Sequence, residues 1–315
     1  MPSKKILVIV GPTASGKTRM AVELAKAHNG EVVSADSMQI YRRMDIGTAK
    51  PTAEEMDGVP HHMIDVADPE EDFSVARYVE MASACVDDIL ARGKLPIVAG
   101  GTGLYVDSLL SGRTFAAFSP ESALRKELEA ELAERGGEAM LAELSQVDPE
   151  AAVRLHPNDH KRIVRALEVY RSTGKTISEH NRETQALPPR YEALTIGLNF
   201  QDRADLWARI DQRVDQMAAA GLEREVRELL SSGLSPRCTA MQAIGYKEFV
   251  AAVEGTMTWR EAEELVKLRS RQYAKRQLTW FRRNPEVHWL LWEKNPNFGN
   301  ARQRSTELLE EFGLG

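Results

Sequence analysis

The chain has little cysteine: Cys85 and Cys238 are the only two in 315 residues. That excludes a disulfide framework and a cysteine-rich zinc site, and it suits a reducing compartment. Long hydrophobic runs are missing as well. The first apolar run, residues 6–10, follows Lys4 and Lys5 but stops at Gly11, too short for a signal peptide or a membrane span, so a cytoplasmic protein with no membrane partner is expected. Positive charge is not in excess, because 41 Lys and Arg stand against 47 Asp and Glu for a net charge of −6. Such a chain does not coat nucleic acid indiscriminately, although a local basic face can still bind it. Internal repeats and low-complexity tracts are absent. So are an Asn-Lys-x-Asp guanine-reading motif and an apolar run ending in an aspartate that clearly serves as a magnesium ligand, which weighs against a switch GTPase or a motor ATPase.

What is present begins with residues 11–18, Gly-Pro-Thr-Ala-Ser-Gly-Lys-Thr, which fit the phosphate-loop spacing G-x-x-x-x-G-K-[ST]. The apolar run before them predicts a strand, and residues 20–27 predict a helix whose N-terminus points back at the ligand. Backbone N–H groups of Gly11, Thr13, Ala14, Ser15 and Gly16 are candidates to hold a diphosphate, Lys17 adds a mobile positive charge, and the Thr18 hydroxyl is placed to bind Mg²⁺. Residues 31–36 predict a second strand ending at Asp36, and Ser37, Met38 and Gln39 continue into the same cleft, where ligands of open α/β sheets gather. Residues 42–72 lose periodicity and read as a long loop region with short turns. Its adjacent His61 and His62 lack a spaced third ligand and read as structural. A helix over 74–92 and a strand over 95–99 follow, leading into a second glycine-rich turn with Thr102 facing the cleft.

From about residue 119 to 184 the spacing is only helical, which predicts an all-helical lobe inserted into an α/β phosphate-loop core with a parallel sheet. The divisions expected are residues 1–115 for the first part of the core, 116–188 for the insertion and 189–315 for core completion. That last part holds a strand over 194–198, helices over 203–219, 223–231, 239–253 and 259–281, and a surface tail over the last 20 residues. Two basic stretches stand out. One runs from Lys267 to Arg283 with Arg269, Arg271, Lys275, Arg276 and Arg282, no acidic residue, and Tyr273, Trp280 and Phe281 interleaved. The other, in the lobe, has Arg154, Lys161, Arg162, Arg165, Arg171 and Lys175. Cations and aromatic faces together suit RNA. A small-molecule kinase with Asp36 as base, and an RNA-binding module whose nucleotide site regulates affinity, are the two rival readings.

The phosphate loop is one of several ordered blocks that resemble the bacterial tRNA dimethylallyltransferase family. The others are residues 34–41 (Ser-Ala-Asp-Ser-Met-Gln-Ile-Tyr), 45–51, 59–62, 99–105, 156–159 with 162–163 and 165–168, 242–247, and 275–282. Lys161 departs from the glutamine usual there. The resemblance implies transfer of a dimethylallyl group from dimethylallyl diphosphate to the N6 amine of the adenosine 3′-adjacent to the anticodon. Asp36 is then the base, Thr102 orients it or the amine, and Lys17, Mg²⁺ at Thr18 and Arg213, with Arg209 second, stabilise the departing pyrophosphate. It further implies a monomer that contacts the tRNA anticodon stem-loop through Asp36, Ser37, Met38, Gln39, His160, Lys161, Arg162, Ile163, Val164, Gln242, Gly245, Lys247, Lys275, Arg276 and Arg282, with Ser37 and Gln39 reading the adenine edge.

Overall fold

A computed structural model describes residues 4–111, 123–185 and 187–314. Among them, β1 (Lys5–Val10), β2 (Gly30–Ser34), β3 (His61–His62), β4 (Leu95–Gly100), β5 (Glu192–Phe200) and β6 (His288–Trp292) form one sheet in the order β3-β2-β4-β1-β5-β6. Every neighbouring pair is parallel. Parallel neighbours need long crossovers, and these put helices over the sheet faces and bury its strands on both sides. That is why the apolar run of β1 is continuous rather than alternating: Ile6, Leu7, Val8, Ile9 and Val10 are all fully buried.

In chain order the helices are α1 (Lys17–Ala27), α2 (Ala53–Met56), α3 (Val75–Ala91) and α4 (Gly103–Leu110), then α5 (Ala123–Val147), α6 (Pro149–Ala152), α7 (His160–Thr173) and α8 (Ile177–Gln185). After β5 come α9 (Arg203–Ala220), α10 (Leu222–Ser231), α11 (Tyr246–Val253), α12 (Trp259–Phe281) and α13 (Phe298–Phe312). The chain divides into two compact units, Met1–Leu110 with Arg190–Gly315, and Ser111–Pro189. The first boundary expected, near residue 115, lies outside the described residues. Within the second unit, α5 is broken at Gly136, and Leu128, Met140, Leu144, Ile163, Val164 and Leu167 close a core of their own. No helix of the described residues is long and apolar enough to cross a membrane.

The structure corrects the sequence reading in four places. Helix α1 starts at Lys17, three residues earlier than expected, directly from Gly16 at φ 86° with no side-chain cap, so the amides of its first turn remain available. The 42–72 stretch holds α2, closed by a reciprocal Thr52/Glu55 capping box, and the edge strand β3. The helix expected over 239–253 is interrupted: a 3₁₀ turn at Ala240–Gln242 precedes Gly245, whose φ of 99° resets the chain before α11. The expected surface tail is part of the core. There α13 buries Phe298, Ala301, Leu308 and Leu309, and just before it the unexpected strand β6 pairs with β5. A Cβ on Gly16 would meet the Phe298 ring at 2.8 Å, and Trp292 lies 4.9 Å from that ring, so the C-terminal segment backs the phosphate loop. Replacing Phe298 with Ala should therefore cost about 3 kcal/mol of unfolding free energy, the order found when a buried aromatic is truncated. Urea denaturation reads it, and a loss below about 0.5 kcal/mol, usual for a surface site, would return α13 to an appendage.

Candidate active site

Strands β2, β4 and β1 are adjacent and in register at their C-terminal ends, with Ser34 opposite Ala99 and Val10 opposite Gly100. The loops leaving them therefore emerge side by side, within about 10 Å at the usual strand spacing. They carry Asp36, the Gly101–Thr102 turn and the phosphate loop, the three features that the sequence singled out.

The phosphate loop is held by partners outside it. The Thr13 amide donates to Gln277 Oε1 at 2.9 Å, and the Thr13 hydroxyl meets Arg213 Nη1 at 3.2 Å. Arg209 Nε donates to the Ala14 carbonyl at 3.4 Å, and Trp292 Nε1 to the Ser15 carbonyl at 2.8 Å. Lys17 Nζ donates to the Pro12 carbonyl at 2.7 Å. One atom is left conspicuously without a partner: Ser15 Oγ is buried and makes no hydrogen bond. An orphaned hydroxyl at the start of a helix, beside free first-turn amides, fits a phosphate oxygen. The Thr18 hydroxyl also makes no hydrogen bond among the described residues, and those residues contain no cluster of three His, Cys, Asp or Glu. A magnesium ion here would be held by that hydroxyl and by phosphate oxygens, as is common for this ion.

Electrostatics points the same way. Burial depresses the Lys17 ammonium to a pKa of about 7, the Arg213 cation pushes it further down, and Asp36 opposes both. Burial likewise lowers Arg213, against the attraction of Asp36 and Glu55. Two desolvated cations share one cleft, an arrangement that a multiply charged anion would relieve.

Asp36 lies within electrostatic reach of both cations. Its Oδ1 accepts from the Met38 and Gln39 amides at 2.8 and 3.3 Å, and Oδ2 has no protein donor among the described residues. Thr102 Oγ1 accepts from the Ser37 amide at 3.1 Å and lies 3.4 Å from Ser37 Oγ, which fixes the turn that carries the carboxylate. The Gln39 amide is engaged within the protein: Nε2 donates to the Thr48 and Ala49 carbonyls, and Oε1 accepts from Ser34. Arg213 Nη2 reaches the same Ala49 carbonyl. This loop is itself pinned by buried Glu225, which accepts from the amides of Asp45, Ile46 and Gly47 and from the Tyr246 hydroxyl.

The basic stretches divide. In the first, Lys267 pairs with Asp215, Glu263 and Glu264, Arg269 with Glu248 and Arg271 with Asp211. Lys275, Arg276 and Arg282 are exposed and pair with no carboxylate among the described residues. In the lobe, Arg154, Arg165, Arg171 and Lys175 are paired, whereas His160, Lys161 and Arg162 are exposed on the first turn of α7. Ile163 and Val164, read as tRNA contacts, are 0 % and 1 % exposed, so their side chains form the packing face of α7 instead. Gln242 donates to the Pro236 carbonyl, the Gly245 amide to Glu248, and Lys247 lies 3.9 Å from Glu248 at the start of α11.

Sequence reading missed Gln277, Trp292 and Glu225. It met Tyr273 only as an aromatic in a basic run, yet this residue lies beside Thr102, Gln277 and Asp36, and burial pushes its hydroxyl up to about 12. The one usable signal was Gln277 itself, a polar residue on the stripe where Val266, Ala274 and Phe281 are buried.

The IPP transferase family model matches residues 39–284. A tRNA dimethylallyltransferase of Acetivibrio thermocellus is 50 % identical over 285 residues, 90 % of this chain and 91 % of that protein. One from a Thermoanaerobacter species is 47 % identical over 97 % of each. Among solved structures, a full-length tRNA isopentenylpyrophosphate transferase from Bacillus halodurans aligns with a TM-score of 0.72 at 43 % identity, covering 98 % of this chain and 97 % of its own. A eukaryotic dimethylallyltransferase acting on tRNA aligns with a TM-score of 0.84 at 31 % identity, covering 98 % of this chain and 79 % of its own.

The depressed Lys17 predicts a proton-linked binding event. An anion bound beside the ammonium raises its pKa, so binding takes up a proton between about pH 7 and the ordinary lysine range, and takes up none well below pH 7, where Lys17 is already charged. Calorimetry of dimethylallyl diphosphate binding in buffers of differing ionisation enthalpy should show uptake near one proton at about pH 8.5 and near zero at about pH 6. Lys17→Met should abolish the difference, and equal uptake at both pH values would remove Lys17 from the anion site.

Proposed function

The chain belongs to the IPP transferase family, and from that premise we propose that it transfers a dimethylallyl group from dimethylallyl diphosphate to the N6 amine of the adenosine 3′-adjacent to the anticodon of tRNA. Pyrophosphate is released, and the protein acts in the cytoplasm as a monomer. The observation that carries this reading is what gathers at the strand ends: the cations Lys17 and Arg213, both depressed by burial, and within their reach the amide-anchored carboxylate of Asp36. Family membership sets aside the kinase and the regulatory RNA-binding module.

The chemistry follows from those ends. The bond between the prenyl carbon and the diphosphate oxygen breaks while the bond from that carbon to N6 forms. Charge accumulates on the leaving pyrophosphate, where the loop amides, Ser15 Oγ, Lys17 and Arg213 stabilise it most when it is greatest. A magnesium ion, held by Thr18 and the diphosphate, would add Lewis-acid stabilisation of the same charge. The exocyclic amine is a weak nucleophile because its lone pair is delocalised into the ring, so its proton must leave as the new bond forms. Asp36 Oδ2 is the acceptor, with Oδ1 anchored by two amides and the turn braced by Thr102. The target base has to leave its stack, at a cost of a few kcal/mol. Contacts by Lys161 and Arg162 in the lobe, and by Lys275, Arg276 and Arg282 of the core unit, compensate for it.

Incubation with unmodified tRNA, Mg²⁺ and either dimethylallyl diphosphate or ATP tests the reading by mass spectrometry of the adenosine. A five-carbon gain is expected; its absence rejects the reading, and phosphate transfer from ATP restores the kinase. Asp36→Asn should lower kcat by about 100-fold or more while tRNA affinity holds, as for loss of a general base; unchanged kcat would take the base role from Asp36. Replacing Lys275 and Arg282 together by Ala should weaken tRNA binding and flatten the log–log salt slope by about one per residue. An unaltered slope would make those cations structural.

A further inference from the structure

Helix α12 presents two faces with different work. Outward lie Lys275, Arg276 and Arg282, the cations free of carboxylates. Inward, at steps of four and three residues, lie Tyr273, Gln277 and Trp280, one stripe of a helix of 3.6 residues per turn. All three meet the turn that follows β4. Tyr273 lies beside Thr102, Gln277 Nε2 donates to the Gly101 carbonyl at 2.9 Å, and Trp280 Nε1 donates to Asp107 at 2.9 Å. The approach is so close that a Cβ on Gly101 would sit 2.1 Å from Gln277 Nε2, and one on Gly103 would sit 2.2 Å from the Trp280 ring. Gln277 alone also crosses to the phosphate loop, where its Oε1 accepts the Thr13 amide at 2.9 Å. The side chain is 5 % exposed. A primary amide does both without changing protonation state: its oxygen accepts from one backbone N–H and its nitrogen donates to one backbone carbonyl, which also fixes its orientation.

We propose that Gln277 is a positioning residue for the diphosphate donor, locking the phosphate loop to the Thr102 turn from the inner face of the helix that binds RNA on its outer face. The proposal rests on the donor assignment made above. Without the bridge, the part-buried Thr13 amide and the buried Gly101 carbonyl are both left unpaired, and the loop loses its tie to α12. The distance between the site that holds the leaving group and the turn that braces Asp36 is then no longer fixed.

The test compares Gln277→Met, which keeps the volume and removes both hydrogen bonds, with Val266→Ala, a buried position on the same helix that takes no part in the bridge. Inorganic pyrophosphate with Mg²⁺ is titrated into the full-length protein by calorimetry, and KM for dimethylallyl diphosphate and for tRNA are measured separately. Q277M should raise the pyrophosphate Kd and the donor KM by about tenfold or more, with tRNA Kd held within about twofold. V266A should lower thermal stability and leave donor affinity alone. Wild-type donor affinity in Q277M, or an equal loss in both variants, overturns the proposal. If Q277M does not fold, Gln277→Glu carries the same readout, since it keeps the acceptor for Thr13 and loses the donor to Gly101; unchanged donor KM there is equally fatal. Pyrophosphate titration does not depend on turnover. A wild-type protein that makes no prenylated tRNA while Q277M loses pyrophosphate binding rejects the activity and keeps the positioning role, and the converse result rejects only the positioning role.

Discussion

A phosphate loop has to satisfy two opposed demands: its backbone must be rigid, yet its amides must stay unpaired until the ligand arrives. Here the loop is braced through its carbonyls and through two of its amides, Thr13 given to Gln277 and Ser15 given at 3.4 Å to the Pro12 carbonyl. Arg209 and Arg213 on α9, Gln277 on α12 and Trp292 on β6 each take hold of it from a different element. What remains unpartnered is the set that faces the anion, including the buried Ser15 hydroxyl. The loop is thus a product of segments nearly 300 residues apart in sequence, and most of the core unit serves to bring them together.

The same arrangement raises the electrostatic stakes. Keeping Lys17 and Arg213 close together and dry disfavours both charges, which is the physical content of the depressed pKa values. A ligand that brings several negative charges would relieve both, and on the proposed reaction little reorganisation would be needed as charge builds on the leaving group. Asp36 lies within that field but is held in place by its own anchoring: two backbone amides hold one oxygen, and the Thr102–Ser37 contact holds the turn. A carboxylate free to rotate toward Lys17 would form an ion pair and close the site against both substrates.

How much of this was legible depends on whether the information is local. The phosphate loop, Asp36 and Thr102 were readable because each ends an apolar run at a strand–turn junction, and parallel topology brings such junctions to one edge. The lobe was readable as helical from its spacing, although Ile163 and Val164 were assigned outward because a motif does not say which way a side chain points. The last 20 residues were misread as a tail and the strand before them was missed, since a five-residue strand and an amphipathic helix look like any exposed end until their partners, β5 and Gly16, are in place. Gln277 was invisible for the same reason: its meaning lies in two backbone groups, at Thr13 and Gly101, that are 88 residues apart from each other and farther still from it.

The basic stretch along α12 shows how three-dimensional sorting changes a charge count. Seven cations with no acidic residue between them suggested one continuous RNA-binding face, but a helix turns 100° per residue, so a run of seventeen cannot present a single side. Lys267, Arg269 and Arg271 meet carboxylates contributed by other elements and hold the helix in place. Farther along, where those carboxylates end, Lys275, Arg276 and Arg282 stay exposed, while Tyr273, Gln277 and Trp280 meet Thr102, Gly101 and Asp107. One helix therefore anchors itself with its first cations, leaves its last exposed for the RNA contact proposed above, and braces the facing turn with the uncharged residues between them. The two glycines facing it are the sequence trace of that third task, since a Cβ at Gly101 or Gly103 would displace the Gln277 amide or the Trp280 ring.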